Sequence, residues 1–427
     1  MKRRIVCVSF IVTSMLLALS NAGTARSDSN TKIIRDDAAG GDCVSIGVWD
    51  MATKTCTLTN DLAGSIVIAS AGITLNGQGH TVSGDNAGTG VDIGGDSAIT
   101  NITVKDLVVE HFEVGIALHG SGPLRNNLIT HNTVSYNRTG IDISACYGNT
   151  ISRNSITSNG NGIHVWYSID NRFTDNTVAN NMTGLALSYK VTFSAFTGNT
   201  LANNDYGIQM GDSWGNAFTN NTITGNGYGI SMTASRDNTL SNNTISDSRL
   251  LGIAATVSYD NLIYNNNFID NPAPQAEFIP SANANTFNLP APSGGNYWSN
   301  YHAPDQGCQD QNRDGFCDAP YVFPGETDNL PWVKAHGWLA VNVDHLIEMK
   351  DNACATGGIS KKGICTSLGA KLNAAKASIQ RSHYRAAGNQ LRAFVHELDT
   401  QQGKAVDTPT HDALANGALD LINLLPK

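Results

Sequence analysis

Apolar and polar residues alternate through most of this chain in runs of three to six, each closed by Asn, Asp, Ser or Gly. NAFTNNTITGNGYGISM (216–232) is representative: three short pieces of β-type alternation separated by turn residues. Aligned on a Gly followed by an aliphatic residue, the pattern recurs at Gly90, Gly115, Gly140, Gly162, Gly184, Gly207, Gly229 and Gly252, with spacings of 25, 25, 22, 22, 23, 22 and 23. Repeats of this length signal a solenoid. A leucine-rich frame and helical runs of ten or more are both missing from these repeats. Three short strands per period therefore predict a right-handed, single-stranded parallel β-helix, with coils stacked at roughly 4.8 Å and Ile, Val, Leu and Phe turned inward.

Two columns of asparagine keep step with the repeat: Asn132, Asn154, Asn176, Asn199, Asn221, Asn243, Asn267, and Asn127, Asn149, Asn171, Ser194, Asn216, Asn238, Asn261. An Asn at a strand end tolerates left-handed backbone angles, and its amide can donate to one coil while accepting from the other. These columns are read as scaffold. Cys146 occupies the column of Ser168, Ser213, Ser235 and Ser258, so it is expected to be a buried thiol without a catalytic part.

Outside the repeats the pattern changes three times. MKRRIVCVSFIVTSMLLALSNAGTA has the basic start, apolar run and small residues of a cleaved signal peptide over 1–25. The expected order is then a β-helix over 30–290, a cap over 291–338 and an α-helical domain over 340–427. In the last, helical spacing appears in LGAKLNAAKASI and GNQLRAFVHEL, and a further helix starts near Thr408 and Pro409. No segment after the signal reaches the ~18 apolar residues of a membrane span, so the protein is expected to be secreted or periplasmic, and monomeric.

Charge narrows the partners. The net charge is −9, and losing Lys2, Arg3 and Arg4 with the signal takes it to −12. Nucleic acid and anionic lipid need a basic surface and are excluded. Seven cysteines remain after Cys7 leaves with the signal. An oxidising compartment favours the close pairs Cys43–Cys56, Cys308–Cys317 and Cys354–Cys365, leaving Cys146 unpaired.

The opening coil ITLNGQGHTVSG, the repeats, and above all GGNYWSNYHAPDQGCQDQNRDGFCDAPYVFPGETDNLPWV resemble the NosD-type secreted β-helix family over about residues 40–335. The resemblance implies a pectin-lyase-like fold in a class that binds or processes carbohydrate. It also implies, from the name-giving member, an accessory part in copper-site assembly of nitrous oxide reductase. Copper itself is not expected here, because no His pair stands at metal spacing and Met is scarce. The C-terminal helices resemble the FIMAH-type module of secreted bacterial proteins.

Two sets of residues carry candidate chemistry. DQNRDGFCD places Asp310, Asn312, Asp314 and Asp318, with Phe316 among them, like the front of an EF-hand loop, and predicts a structural calcium ion. Tyr321 stands where the closing Glu belongs, so Glu326 or Asp328 would have to complete the cage. The second set lies on the outward face of the strand after each repeat Gly, where Asp142 and His164 should be hydrogen-bonding neighbours on consecutive coils. Trp166 shares their face, and Tyr167, Tyr189, Lys190, Gln209, Asp212 and Trp214 gather nearby. Aromatic faces beside a carboxylate and an imidazole suit a polysaccharide groove. The same residues allow a lyase, epimerase or glycosidase with Asp142, His164 and Lys190 as candidate catalytic groups.

Overall fold

The computed structural model describes residues 30–95, 99–120, 124–279 and 284–426; the segment read as a signal peptide lies outside them. The chain winds into a parallel β-solenoid of about nine turns with three sheets, followed by four helices. In the central coils one strand is six residues long, as in Thr139–Ser144 and Asn161–Trp166, and the other two are three each, as in Thr150–Ser152 and Ser155–Thr157. Each strand pairs in parallel with its counterpart in the next coil. Ile141, Ile163, Leu185, Ile208 and Ile230 therefore stack in one register, all nearly inaccessible. Phe173, Phe196 and Phe218 do the same in a second sheet, with ring centroids 4.6 and 4.7 Å apart. Gly140, Gly162, Gly184, Gly207 and Gly229 stack because a Cβ at any of them would meet the carbonyl of the next coil's glycine within 2.7 Å.

The asparagine columns divide their labour in a way the repeat spacing does not reveal. The left-handed residue is the one before each ladder Asn: Arg153, Asp175, Asn203, Asn220 and Asn242 all have φ between 53° and 59°, whereas Asn154, Asn176, Asn204, Asn221 and Asn243 do not have positive φ. In an Asn-Asn pair the first bends the chain and the second stacks. Asn221 shows the stacking: its N–H and Nδ2 both donate to Asn243 Oδ1, each at 2.9 Å, while its own Oδ1 accepts from Asn199 N and Nδ2. The column continues through Asn266 rather than Asn267, since Asn243 donates to Asn266 Oδ1 and Asn267 begins the next strand.

Because every amide in a column points the same way, each column ends with donors that need an acceptor having no donor of its own. The cap hairpin Tyr321–Phe323 and Glu326–Asp328 supplies two. Asn285 N and Nδ2 donate to Glu326 Oε1 at 2.8 and 2.9 Å, and Asn296 N donates to Asp328 Oδ2 at 2.7 Å. Glu326 and Asp328 are thus the ladders' terminal acceptors, and the calcium cage expected in the neighbouring loop is without their help. Trp298 stacks on Phe268 at 4.3 Å, is fully buried, and donates its Nε1–H to Asp328 Oδ2 at 3.0 Å. It closes the last coil, where open strand edges would otherwise invite pairing.

The disulfides Cys43–Cys56, Cys308–Cys317 and Cys354–Cys365 are formed, and Cys146 is a buried free thiol. Beyond the cap run α1 (Gly337–Thr356), α2 (Lys362–Gln380), α3 (Tyr384–Gln401) and α4 (Thr408–Leu424). Apolar spacing predicts α2, α3 and α4; α1 has the least regular apolar stripe and takes its core face from Trp338, Leu339, Val343 and Leu346 packed on Trp332 and Phe316. Asp407 caps α4 by accepting from Thr410 N at 2.8 Å, with Pro409 in the first turn. Trp332 Nε1 donates to Asn265 Oδ1, and Asn220 Nδ2 donates to the Asn423 carbonyl, so the cap and α4 are each hydrogen-bonded to turns of the solenoid. Among the described residues no helix is long and apolar enough to cross a membrane.

Candidate functional site

The long-strand sheet has one apolar and one polar face because its residues alternate, and the repeat demands apolar side chains only inward. The outward positions are free to carry chemistry. Asp142 and His164 are register partners on adjacent coils. His164 Nδ1 lies 2.6 Å from Asp142 Oδ1, and Ser144 Oγ donates to Asp142 Oδ2 at 2.7 Å, so both carboxylate oxygens are engaged. A carboxylate can only accept here, which puts a proton on Nδ1 and leaves His164 Nε2 as the imidazole's outward atom.

A second pair, which spacing alone did not single out, lies two coils back. His119 Nε2 is 3.2 Å from Asp92 Oδ1, diagonally across neighbouring strands. The angle is poor for a hydrogen bond, since Asp92 Oδ1 has no well-aligned donor. The carboxylate still holds His119 above the ordinary imidazole range, with Asp142 adding to the effect and burial opposing it. The sequence signal was available: Asp92 and His119 stand at the same outward columns as Asp142 and Trp166. Cys146 lies beneath, its thiol pushed up to about 12 by burial and secondarily by the charge of Asp142. At neutral pH it is neither a nucleophile nor a thiolate ligand.

Trp166, two residues beyond His164 on the same strand, opens an aromatic cluster at the turn. Its ring centroid lies 5.7 Å from that of Tyr167 and 6.1 Å from that of Tyr189, and the two tyrosines are 6.0 Å apart with planes inclined by 21°. All three rings lie open on the surface: Trp166, Tyr167 and Tyr189 are 41%, 49% and 40% exposed. Lys190 Nζ stands 4.9 Å from the Tyr189 centroid and 6.0 Å from that of Tyr167. Of the other expected members, Asp212 adjoins the cluster and Gln209 and Trp214 stand apart from it. Gln209 is two coils beyond His164, with Ala186 between them. Asp212 enters through its backbone carbonyl, which accepts from Lys190 N at 2.7 Å. Trp214 sits in the next column under the Arg236 guanidinium, 4.5 Å from its ring centroid.

In the DQNRDGFCD loop the side-chain oxygens face the backbone. Asp310 accepts from Asp314 N and Gly315 N, Asn312 Oδ1 from Asp314 N, Asp314 Oδ1 from Phe316 N, and Asp318 Oδ2 from Gln311 N. The Phe316 ring packs on Trp332 at 4.2 Å. Among the described residues no group of three or more His, Cys, Asp and Glu is placed to hold a metal ion. Copper wants thiolate, thioether or imidazole clusters. Met210 and Met232 are stacked in the core and Cys146 is a buried, protonated thiol. Neither of those methionines nor Cys146 is placed as an open copper ligand.

No curated protein matches this sequence. Several solved structures are similar to this chain at low identity. The XylC complex with xylose is 14% identical (TM-score 0.35) over 52% of this chain and 44% of its own, so this chain spans less than half of that one. The mannuronan C-5 epimerase AlgE4 A-module of Azotobacter vinelandii is 14% identical (TM-score 0.33) over 61% of this chain and 96% of its own. An alginate lyase from Paenibacillus sp. is 11% identical (TM-score 0.35) over 54% and 88%. Residues 98–303, the coils bearing the Asp142 and Trp166 face together with the last coil and its Trp298 lid, match the sequence model of NosD, described as a periplasmic copper-binding protein. Over those coils this chain is a parallel β-helix whose sequence matches the NosD family model.

Proposed function

We propose that the protein binds an extended polysaccharide along the outward face of the long-strand sheet. The observation that carries this reading is the exposed cluster of Trp166, Tyr167 and Tyr189. Single exposed rings are ordinary, but three gathered in one open patch mark an interaction surface, and their flat faces match the apolar face of a pyranose ring. Asp142, Ser144 and His164 beside them offer hydrogen-bond partners for sugar hydroxyls, and the coil repeat suits a ligand that is itself repetitive. Isothermal titration against a panel of polysaccharides tests the idea. One member of the panel should bind, and Trp166→Ala should weaken it about tenfold or more, since a stacked aromatic anchor is worth at least about 1.4 kcal/mol. Unchanged affinity in that variant, with its fold intact by circular dichroism, sinks the assignment.

A second reading has its own support in the Asp142–His164 contact. With Nδ1 tied to a carboxylate, Nε2 is free to take a proton from a bound sugar, as a lyase or epimerase requires. Such an enzyme would release unsaturated or inverted products. His164→Ala would then cut turnover by roughly 10²- to 10⁴-fold while leaving binding to the aromatic cluster in place. Binding with no product from any polysaccharide rules this reading out.

A further inference from the structure

The coil from Gly184 to Gly207 is 23 residues long, whereas its neighbours from Gly162 and from Gly207 are 22. The structure shows where the extra residue goes. Between Trp166 and Ser168 stands one residue, Tyr167. Between Ser188 and Val191, which takes the place of Ser168 and donates from its N–H to Ser213 Oγ, stand two, Tyr189 and Lys190. Both are left-handed, with φ of 54° and 58°. The pairing on either side is undisturbed: Ser188 remains opposite Gly211 and Thr192 opposite Trp214. A one-residue insertion that leaves the ladder in register acts only on its own side chains, and here it adds an ammonium group to the aromatic cluster.

That ammonium has no acidic partner. Lys54, Lys105, Lys350, Lys371 and Lys376 each lie within 4 Å of a carboxylate, but among the described residues none reaches Lys190 Nζ. Of the acids of the face, Asp142 is engaged by His164 and Ser144 and Asp92 stands beside His119, while Asp212, bonded to Lys190 through its backbone carbonyl, makes no ion pair with Nζ. In a chain of net charge −9, an ammonium without an ion pair stands against two of the three open rings. Ring faces hold the ammonium by cation–π attraction without neutralising it, so it stays available to an anion.

We propose that this face selects an anionic sugar, with Lys190 pairing the negative substituent of a ring stacked on Tyr189 and its neighbours. The inference rests on the polysaccharide-binding reading and narrows its ligand class.

The test uses the full chain and three probes: a polyuronate, the same polymer after carboxyl reduction, and a sulfated neutral glycan. The wild type should bind an anionic probe about tenfold tighter than the carboxyl-reduced one, by an amount that shrinks as salt rises. Lys190→Met, which keeps an unbranched apolar stem over Tyr189, should bring the anionic probe down to the neutral level and leave the neutral probe where it was. Lys190→Arg should restore the preference. The sulfated probe separates sulfate from carboxylate as the source of the charge, and an anionic preference of either kind that Lys190→Met removes upholds the proposal. Equal binding of charged and neutral polymers, or an equal loss for both in Lys190→Met, overturns it while leaving polysaccharide binding standing. Binding of no probe, with no effect of Trp166→Ala, overturns both together.

Discussion

Asn221→Ala should destabilise the solenoid by about 3 kcal/mol, while Asn220→Ala, one residue earlier, costs roughly 1 kcal/mol. Asn221 is 2% exposed and links three coils. Its truncation strips the acceptor from Asn199 N–H, which has no other partner in the ladder, and removes the donor to the Phe196 carbonyl at 2.9 Å. Each buried group left unpaired costs about 1–3 kcal/mol, and a methyl group in the vacated turn returns little of it. Asn220 acts differently, holding φ at 57° and donating to the Asn423 carbonyl. Alanine there incurs the left-handed penalty and loses one exposed hydrogen bond. Urea unfolding followed by far-ultraviolet circular dichroism compares the two midpoints. Equal losses would show that the stacked amides contribute nothing beyond turn formation.

Asp328→Ala should open the cap, at a cost of roughly 3–5 kcal/mol, because two buried donors, Trp298 Nε1–H and Asn296 N–H, and the partly buried Leu330 N–H lose their acceptor together. A red shift of tryptophan emission at denaturant concentrations that leave the coils intact would report Trp298 reaching water. The carboxylate also sets a pH dependence. Asp328 is fully inaccessible, and burial pushes its pKa up from 3.8 to about 6 against the pull of Trp298, Asn296 and Leu330. Between about pH 4 and 6 the folded chain thus keeps a proton that the unfolded chain has released. The contribution of this group to stability is fully present below about pH 4 and is lost as pH rises through about 6, amounting to about 3 kcal/mol. Asp328→Asn, which keeps an acceptor for Trp298 and Asn296 but cannot ionise, should flatten that slope. An unchanged slope in this variant would place the titration elsewhere.

These two residues illustrate what a linear reading of the chain can and cannot reach. The asparagine columns were legible because a solenoid repeats its contacts with its sequence: a residue 22 or 23 positions on is a neighbour in space. Periodicity could not tell which asparagine of a pair bends and which one stacks, since both share a residue type and the difference lies in φ. The same spacing favours Asn266 over Asn267, since Asn266 lies 23 residues after Asn243, and the hydrogen bonds follow it. Asp328 was invisible as a ladder terminus. Its role arises where the repeat stops and a hairpin folds back over the open end. Its position in GETDNLPWV made it a candidate cation ligand instead.

The candidate site divides along the same line. Asp142 and His164 could be paired from the alignment, because in-register parallel strands place equivalent positions side by side. The neighbourhood of Trp166, Tyr167, Tyr189 and Lys190 was also foreseeable as a cluster. Its inner arrangement was not: an inserted residue has no equivalent in the repeat, and only the folded backbone shows that it bulges outward and aims Lys190 at the rings. Gln209 stands in the column of His164 but two coils on, and a guanidinium covers the Trp214 ring.

The sequence by itself determined the coil, its three sheets, the inward apolar stacks and the three disulfide pairs, because each follows from local alternation or short spacing repeated many times. Tertiary structure alone decided the direction of the amide ladders, the carboxylates that end them and the unpaired ammonium beside the aromatic rings. Those depend on where individual polar atoms find partners, and that is settled only when distant turns, the cap and the inserted residue come together in space.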